Sequence, residues 1–216
     1  MSGPSLESEL KYRAEDEGPL LTLASAPRLG PAALDTARTR DELYRYLDTA
    51  DLRLASVRWA CRLRTRAAST VVSLKGPAEH RPGAPMHQRR ELEGLATEAL
   101  DPAAWPPSEA RALTLSLAAG RRLVERLAMT QRRTERSVRL GDRRIGLLSL
   151  DRVAVLASGA EIGRLLVVEL ELEPMALVAG LDPRPLTAAL DAVAGLRRDP
   201  LTKLEHALEM GAAGRP

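Results

Sequence analysis

The chain has 216 residues, enough for one domain with a substantial core and short for two well-packed ones. Its hydrophobic fraction of 44% and charged fraction of 28% are typical of a folded globular protein and exclude a disordered chain. The net charge of +3 is spread along the chain without a dense basic block. With no signal-peptide pattern and no apolar run long enough to span a bilayer, we expect a cytoplasmic protein.

The first part of the chain alternates between predicted strands and short breaks. In residues 6–13, Leu10 and Tyr12 share one parity and every charge has the other, and this period of two predicts a strand. Residues 19–29 are rich in leucine and predict a short helix before a break at Gly30-Pro31. Four more strands are predicted at residues 35–49, 52–66, 70–75 and 86–95.

The second part begins with a predicted helix over residues 110–119, with Ser108 in an N-cap position. Strands follow at 127–139, 143–157 and 161–173, joined by turns at Gly141-Asp142 and Ser158-Gly159. Helices are predicted at 175–196 and 200–210. About eight strands with mostly short connections indicate an antiparallel α+β fold, and eight strands can close into a barrel.

Charged residues share one face on four of the predicted strands. The sets are Glu7, Glu9 and Lys11; Arg62 and Arg64; Arg89, Glu91 and Glu93; and Glu169 and Glu171. These charges either face water around an apolar core or line a polar interior whose outer faces are covered by helices. Because the Glu-x-Glu spacing occurs three times and puts like charges side by side, it calls for cations. The repetition favours the polar interior.

The two kinds of charge suit two parts of one substrate complex. Carboxylate oxygens suit Mg²⁺ or Mn²⁺, and Mg²⁺ commonly takes one or two carboxylates and completes its shell with water and phosphate. Arginine binds phosphate through a two-pronged fork, and lysine binds it as a point charge. Acidic residues for metal beside basic residues for phosphate indicate phosphoryl-transfer chemistry.

Eight short motifs follow one another in order between residues 6 and 204. They are Glu7-Ser8-Glu9-Leu10-Lys11, Tyr46-Leu47-Asp48-Thr49-Ala50-Asp51, Arg62-Leu63-Arg64, Ser73-Leu74-Lys75-Gly76-Pro77, Arg90-Glu91-Leu92-Glu93, Leu150-Asp151, Val168-Glu169-Leu170-Glu171 and Thr202-Lys203. The series resembles the CYTH domain, the family of triphosphate tunnel metalloenzymes. That resemblance implies an eight-stranded antiparallel β-barrel forming a tunnel, with helices packed outside and a helical C-terminus. It also implies activity on triphosphates, dependence on Mg²⁺ or Mn²⁺, and one such domain over residues 1–216.

The resemblance implies a role for each matched residue. The metal-binding residues would be Glu7, Glu9, Glu91, Glu93, Asp151, Glu169 and Glu171. The triphosphate-binding residues would be Lys11, Arg62, Arg64, Lys75, Arg89, Arg133 and Lys203. The subset expected to be catalytic is Glu7, Glu9, Lys11, Lys75 and Lys203.

Three arginines compete for one tunnel position in the strand at 127–139. Arg133 shares its parity with Glu135 and is preferred, whereas Arg132 and Arg136 are expected to be solvated. The three histidines match no family position and are expected at the surface; they are His80, His87 and His206.

We predict a metal-dependent hydrolase of triphosphates, acting on inorganic triphosphate, which would give pyrophosphate and phosphate, or on thiamine triphosphate. One alternative is a class IV-type adenylate cyclase, although the His-Phe pair typical of that branch is missing ahead of Glu7. A second alternative is a non-catalytic polyphosphate or nucleotide binder, which would gain nothing from the carboxylates. The expected partner is a small-molecule triphosphate, with no nucleic acid and no membrane, and the protein would be a monomer or homodimer.

Overall fold

The computed structural model describes residues 5–79 and 86–213. The strands, in chain order, are β1 (Ser5–Ala14), β2 (Arg28–Leu29), β3 (Ala32–Leu34), β4 (Arg38–Thr49), β5 (Ala60–Arg66), β6 (Ser69–Glu79), β7 (His87–Ala96), β8 (Leu123–Leu140), β9 (Arg143–Ala157), β10 (Ala160–Leu172) and β11 (Leu196–Arg198). The helices are α1 (Gly18–Ser25), α2 (Arg53–Ser56), α3 (Glu109–Ala118), α4 (Pro174–Val178), α5 (Arg184–Asp191) and α6 (Lys203–Ala213), with a 3₁₀ turn at Pro102–Ala104. In the described ranges, every helix is too short or too polar to cross a bilayer.

Eight of the strands close into an antiparallel barrel. The order around it is β8, β4, β5, β6, β7, β1, β10 and β9. β8 pairs with β4 on one side and with β9 on the other, so the ring is complete. The short strands β2 and β3 extend the sheet beside β8, and β11 pairs with β1. The predicted α+β fold, an eight-stranded antiparallel barrel, is confirmed.

Tight turns fix the register of the three longest strands. Gly141 turns β8 into β9 with a φ of 58°, and Ser158 and Gly159 turn β9 into β10 with φ values of 50° and 81°. Two consecutive residues with positive φ, as at Ser158-Gly159, are typical of the turn that matches the twist of a β-hairpin. Both predicted turns therefore lie where the sequence places them.

The outward faces of the barrel are apolar and are covered by helices. On one side, Leu10, Leu150 and Leu170 of β1, β9 and β10 pack in a buried cluster with residues from α1, α4 and α5. On the other side, Leu63 and Leu74 of β5 and β6 belong to a second cluster that includes α3. Because the apolar parity faces outward, the charged parity of the same strands faces the interior.

Helix α6 packs differently from the other helices. Its residues Leu204 and Ala207 join a third cluster with inward-facing side chains, among them Tyr44, Met129 and Val155. This helix therefore closes off part of the barrel interior with apolar contacts. Its first residue enters the polar part of the interior.

Three predicted elements are wrong in part. The helix predicted at residues 19–29 ends at Ser25, and Arg28–Leu29 form β2. The strand predicted at residues 52–66 is interrupted by α2, because Asp48 accepts hydrogen bonds from the backbone N–H groups of Leu54 and Ala55 and caps a helical turn there. The helix predicted at 175–196 is interrupted between α4 and α5 around Gly180, whose φ is 87°, and it ends before β11. A glycine with positive φ is a common helix end.

Candidate active site

A polar cavity of about 730 Å³ occupies the barrel interior. Eight basic and seven acidic side chains line it, contributed by six of the barrel strands, the α2–β5 connection and the start of α6. The lining includes every predicted site residue except Asp151, which lies behind the wall. The closed barrel therefore brings the predicted residues, which lie on the inward faces of separate strands, to one place.

Glu7, on β1, is the centre of a first group of ion pairs. The Nζ of Lys75 lies 2.7 Å from one Glu7 oxygen, and the Nε of Arg89 lies 2.7 Å from the other. Arg89 also donates to Glu9 at 2.9 Å, and Lys11 lies 3.1 Å from Glu9. Burial alone would raise the pKa of Glu7, but the charges of Lys75 and Arg89 outweigh burial and lower that pKa to about 2.

A second group joins β8, β9, β10 and α6 around two carboxylates. The fully buried Asp151 accepts from the Nε and Nη2 of Arg133 at 2.8 and 2.6 Å and from the Nζ of Lys203 at 2.7 Å. Glu169 accepts from the same two cations at 3.0 and 2.7 Å. Burial opposes the charged form of Glu169, but Lys203 and Arg133 hold its pKa well below the usual range. Because both Asp151 oxygens are taken by cations, this residue is placed to position Arg133 and Lys203.

Arg62 and Arg64, on β5, extend the basic lining. The Arg62 guanidinium stacks 4.4 Å from the centre of the Tyr44 ring, and one of its nitrogens lies 3.9 Å from Glu91. Its Nε is buried and has no hydrogen-bond partner among the described residues. Arg64 lies 3.3 Å from Glu93. A buried donor left unused is costly, so the Arg62 Nε is an unsatisfied donor in the wall of the cavity.

Glu171, at the end of β10, differs from the carboxylates of the two ion-pair groups. It lines the cavity and is exposed, and the described residues place no basic group within ion-pair distance of it. Partial removal from water raises the pKa of Glu171 to about 7, and the carboxylates of Glu7, Glu91 and Glu9 add to the increase. Glu171 is therefore a carboxylate on the barrel wall that has no ion-pair partner among the described residues.

The donor chemistry at this point fits a divalent cation. Within the described ranges, no three His, Cys, Asp or Glu side chains already converge as a preformed metal cage. Mg²⁺ does not need such a cage, because it commonly takes one or two carboxylates and fills the rest of its shell with water and phosphate. Glu171, with Glu9 opposite it in the β1–β10 pairing and Glu7 on the same face of β1, supplies such ligands.

The three competing arginines of β8 lie in three different environments. Arg133 lines the cavity as predicted, and Arg132 is exposed as predicted. Arg136 is not solvated: it is buried and donates to the backbone carbonyls of Leu23, Leu34 and Asp35 at 3.0, 3.0 and 2.8 Å. It ties α1 and β3 to the barrel, a contact that strand parity cannot reveal.

The prediction for the histidines is wrong at His206, which is buried and bonded to Asp199. His80 lies outside the described residues, and the His87 side chain is likewise not described. Sequence reasoning also missed Arg58 and Trp59, which line the cavity from the segment after α2. Arg58 has a φ of 60°, and no local sequence signal indicates this left-handed turn.

Comparison with known proteins supports the fold and identifies the family. The CYTH domain family model matches residues 5–180, and no curated protein gives a significant match. A solved structure from Hippeastrum, described as a proposed adenylyl cyclase that reveals a dominant triphosphatase activity, is 21% identical with a TM-score of 0.64, covering 94% of this chain and 95% of that one. A proposed adenylate cyclase from Bacillus halodurans is 19% identical with a TM-score of 0.62, covering 95% and 98%. A Pyrococcus horikoshii protein is 14% identical with a TM-score of 0.53, covering 96% and 99%. With the family model spanning most of the barrel, this chain belongs to the CYTH domain family.

Proposed function

We propose that this protein is a divalent-metal-dependent hydrolase of triphosphates. The observation that carries the proposal is the cavity of about 730 Å³ in the barrel interior, in which basic side chains are arrayed around carboxylates and Glu171 has no ion-pair partner among the described residues. That volume suits a small-molecule ligand. A pure anion-binding site would gain nothing from acidic side chains in its lining, whereas a metal–phosphate complex uses both signs of charge.

The carboxylates proposed to hold metal are Glu7, Glu9 and Glu171, with Glu91, Glu93 and Glu169 as further acidic contributors. When bound, a divalent cation would offset the charge of the phosphate oxygens and acidify a water molecule. Asp151, with both oxygens taken by Arg133 and Lys203, contributes as a positioning group.

The basic residues would donate hydrogen bonds to the phosphate oxygens of the substrate. Lys75 and Arg89 are held by Glu7, and a cation bound to Glu7 would leave both free to donate to the substrate. Arg62, whose guanidinium stacks on the Tyr44 ring and whose buried Nε has no partner among the described residues, would supply a further donor. The remaining proposed phosphate ligands are Lys11, Arg64, Arg133 and Lys203. Fixed donors of this kind stabilise the charge of a phosphoryl-transfer transition state without reorganising.

The substrate proposed is inorganic triphosphate or an organic triphosphate such as thiamine triphosphate. The structure described from Hippeastrum with a dominant triphosphatase activity supports hydrolysis over cyclisation. We further propose that residues 1–216 act as one such domain.

Phosphate release from four substrates tests the proposal. Inorganic triphosphate, thiamine triphosphate, ATP and pyrophosphate are each assayed with Mg²⁺, with Mn²⁺ and with a chelator. We expect release from at least one triphosphate with metal and none with the chelator. Cyclic AMP and pyrophosphate formed from ATP would instead identify a cyclase, and binding without release would identify a non-catalytic binder.

A further inference from the structure

The position of Lys203 depends on the segment that joins β11 to α6. Lys203 is the first residue of α6, and its Nζ donates to Asp151 and Glu169 at 2.7 Å each. Residues 199–202 connect this helix to β11, and Pro200 and Thr202 line the cavity. A shift of this segment would move the Lys203 ammonium directly.

Asp199 anchors that segment to the barrel. Its backbone N–H donates to the carbonyl of Lys11 at 3.0 Å, which continues the pairing of β11 with β1. One carboxylate oxygen accepts from the backbone N–H of Leu201 at 3.0 Å, which fixes the turn that follows. Lys11 is itself a cavity residue, so Asp199 links two basic positions of the site.

His206 completes the link from within α6. Its Nε2 donates to the second Asp199 oxygen at 2.6 Å, and both side chains are buried. His206 lies three residues after Lys203, so the two side chains arise from adjacent turns of one helix face. The bond fixes the rotation and height of this face relative to β1.

The solvent-exposed hydrogen bonds at the start of α6 are weaker than the buried Asp199–His206 bond. Thr202 and Glu205 form a reciprocal cap, in which the Glu205 N–H donates to the Thr202 Oγ1 at 3.1 Å and the Thr202 N–H donates to a Glu205 oxygen at 2.6 Å. Hydrogen bonds of this cap are open to solvent, so water competes for them. The Asp199–His206 bond is buried and charge-assisted, and bonds of that kind are the stronger ones.

We propose that the buried Asp199–His206 pair is a positioning device that holds Lys203 at the triphosphate site. The inference rests on the proposed function for its kinetic consequence, and on the contacts alone for its structural consequence. His206 touches no cavity-lining group through its ring in the described contacts, so it would act through Lys203 and not on the substrate.

A double-mutant cycle separates positioning from general stability. His206→Leu removes the donor, and His206→Gln keeps an N–H donor near the same place. We expect His206→Leu to lower kcat/KM by about 10- to 100-fold and His206→Gln by much less, since small misplacements of a charge-stabilising group have effects of this size. In a Lys203→Met background, His206→Leu should change kcat/KM by less than about 2-fold, because the group it positions is gone.

Two further variants serve as a second test of the bond and as a control. Asp199→Ala removes the same bond from the other side and should reproduce His206→Leu, while Leu208→Ala on the exposed face of α6 should leave kcat/KM unchanged. Circular dichroism reports whether each variant folds. Equal losses from His206→Leu in the wild-type and Lys203→Met backgrounds would overturn the proposal.

Amide hydrogen exchange tests the device independently of turnover. At residues 203–206, exchange should be faster in His206→Leu than in the wild type and close to wild type in His206→Gln. Unchanged exchange in His206→Leu overturns the positioning role even in an active enzyme. A wild-type protein that hydrolyses no triphosphate, yet shows the exchange difference, would refute the proposed function and leave the structural link supported.

Discussion

The substitution Asp151→Asn tests whether the second group of ion pairs holds the barrel interior together. Asp151 is fully buried and accepts three charge-assisted hydrogen bonds, two from Arg133 and one from Lys203. Asparagine keeps the volume but turns an N–H₂ group towards one of these cations. The substitution leaves two largely buried positive charges with less compensation.

The expected cost follows from the remaining contacts. Removing one partner of a buried ion pair typically costs about 3–5 kcal/mol. Because Glu169 still accepts from both Arg133 and Lys203, we expect the lower end, a loss of about 3 kcal/mol in the free energy of unfolding. At about 2–4 °C per kcal/mol for a chain of this size, the melting temperature should fall by about 6–12 °C.

Thermal and urea denaturation measure the loss, with a matched exposed pair as control. Glu161 and Arg164 form an ion pair of 2.7 Å at the surface, and Glu161→Gln should leave the free energy of unfolding essentially unchanged. If Asp151→Asn lowers the free energy of unfolding by less than about 1 kcal/mol, the Asp151 carboxylate does not stabilise the buried charges of Arg133 and Lys203.

Two further predictions concern Glu171 and Arg136. The pKa of Glu171 is raised to about 7 by partial removal from water and by neighbouring carboxylates, so its contribution to stability is present below its unfolded pKa and is lost as pH rises through 7. In metal-free buffer, Glu171→Gln should therefore flatten the fall in stability between pH 5 and 8, and an unchanged slope would show that another group titrates there. Arg136→Met leaves the carbonyls of Leu23, Leu34 and Asp35 without their donor, and we expect urea denaturation to show a loss of about 2 kcal/mol or more. A stability equal to wild type would mean that water replaces the guanidinium.

The barrel and its polar lining could be predicted because strand parity is a local property. Glu7, Glu9 and Lys11 alternate with outward-packed residues on β1, and the same alternation on β10 placed Glu169 and Glu171 inside. The order of the motifs then indicated which strands share the interior. Strand parity is readable within a few residues of sequence, and the order of the motifs is readable along residues 6–204.

The elements that were predicted wrongly or missed depend on contacts between residues distant in sequence or on backbone conformation. Asp48 turns the start of the predicted strand 52–66 into α2, with Leu52 at a φ of 58° and Arg58 at 60°. β11 exists because it finds an edge of β1, more than 180 residues earlier in the chain. Periodicity alone cannot indicate pairings of this kind.

The buried polar residues outside the cavity were missed for the same reason. Arg136 was expected in solvent, but it finds the carbonyl ends of α1 and β3. His206 was expected at the surface, but α6 packs its face towards Asp199. The partner groups of both residues are brought near only by the closed barrel.

Metal held by the cavity carboxylates is proposed to be required for triphosphate hydrolysis. The most direct measurement is phosphate release from inorganic triphosphate by the wild type and by Glu9→Gln, each with Mg²⁺ and with a chelator, after circular dichroism confirms that both are folded. We expect wild-type release only with Mg²⁺, and a loss of at least about 100-fold in Glu9→Gln. Near-normal release by Glu9→Gln, or undiminished wild-type release in the chelator, would contradict the account.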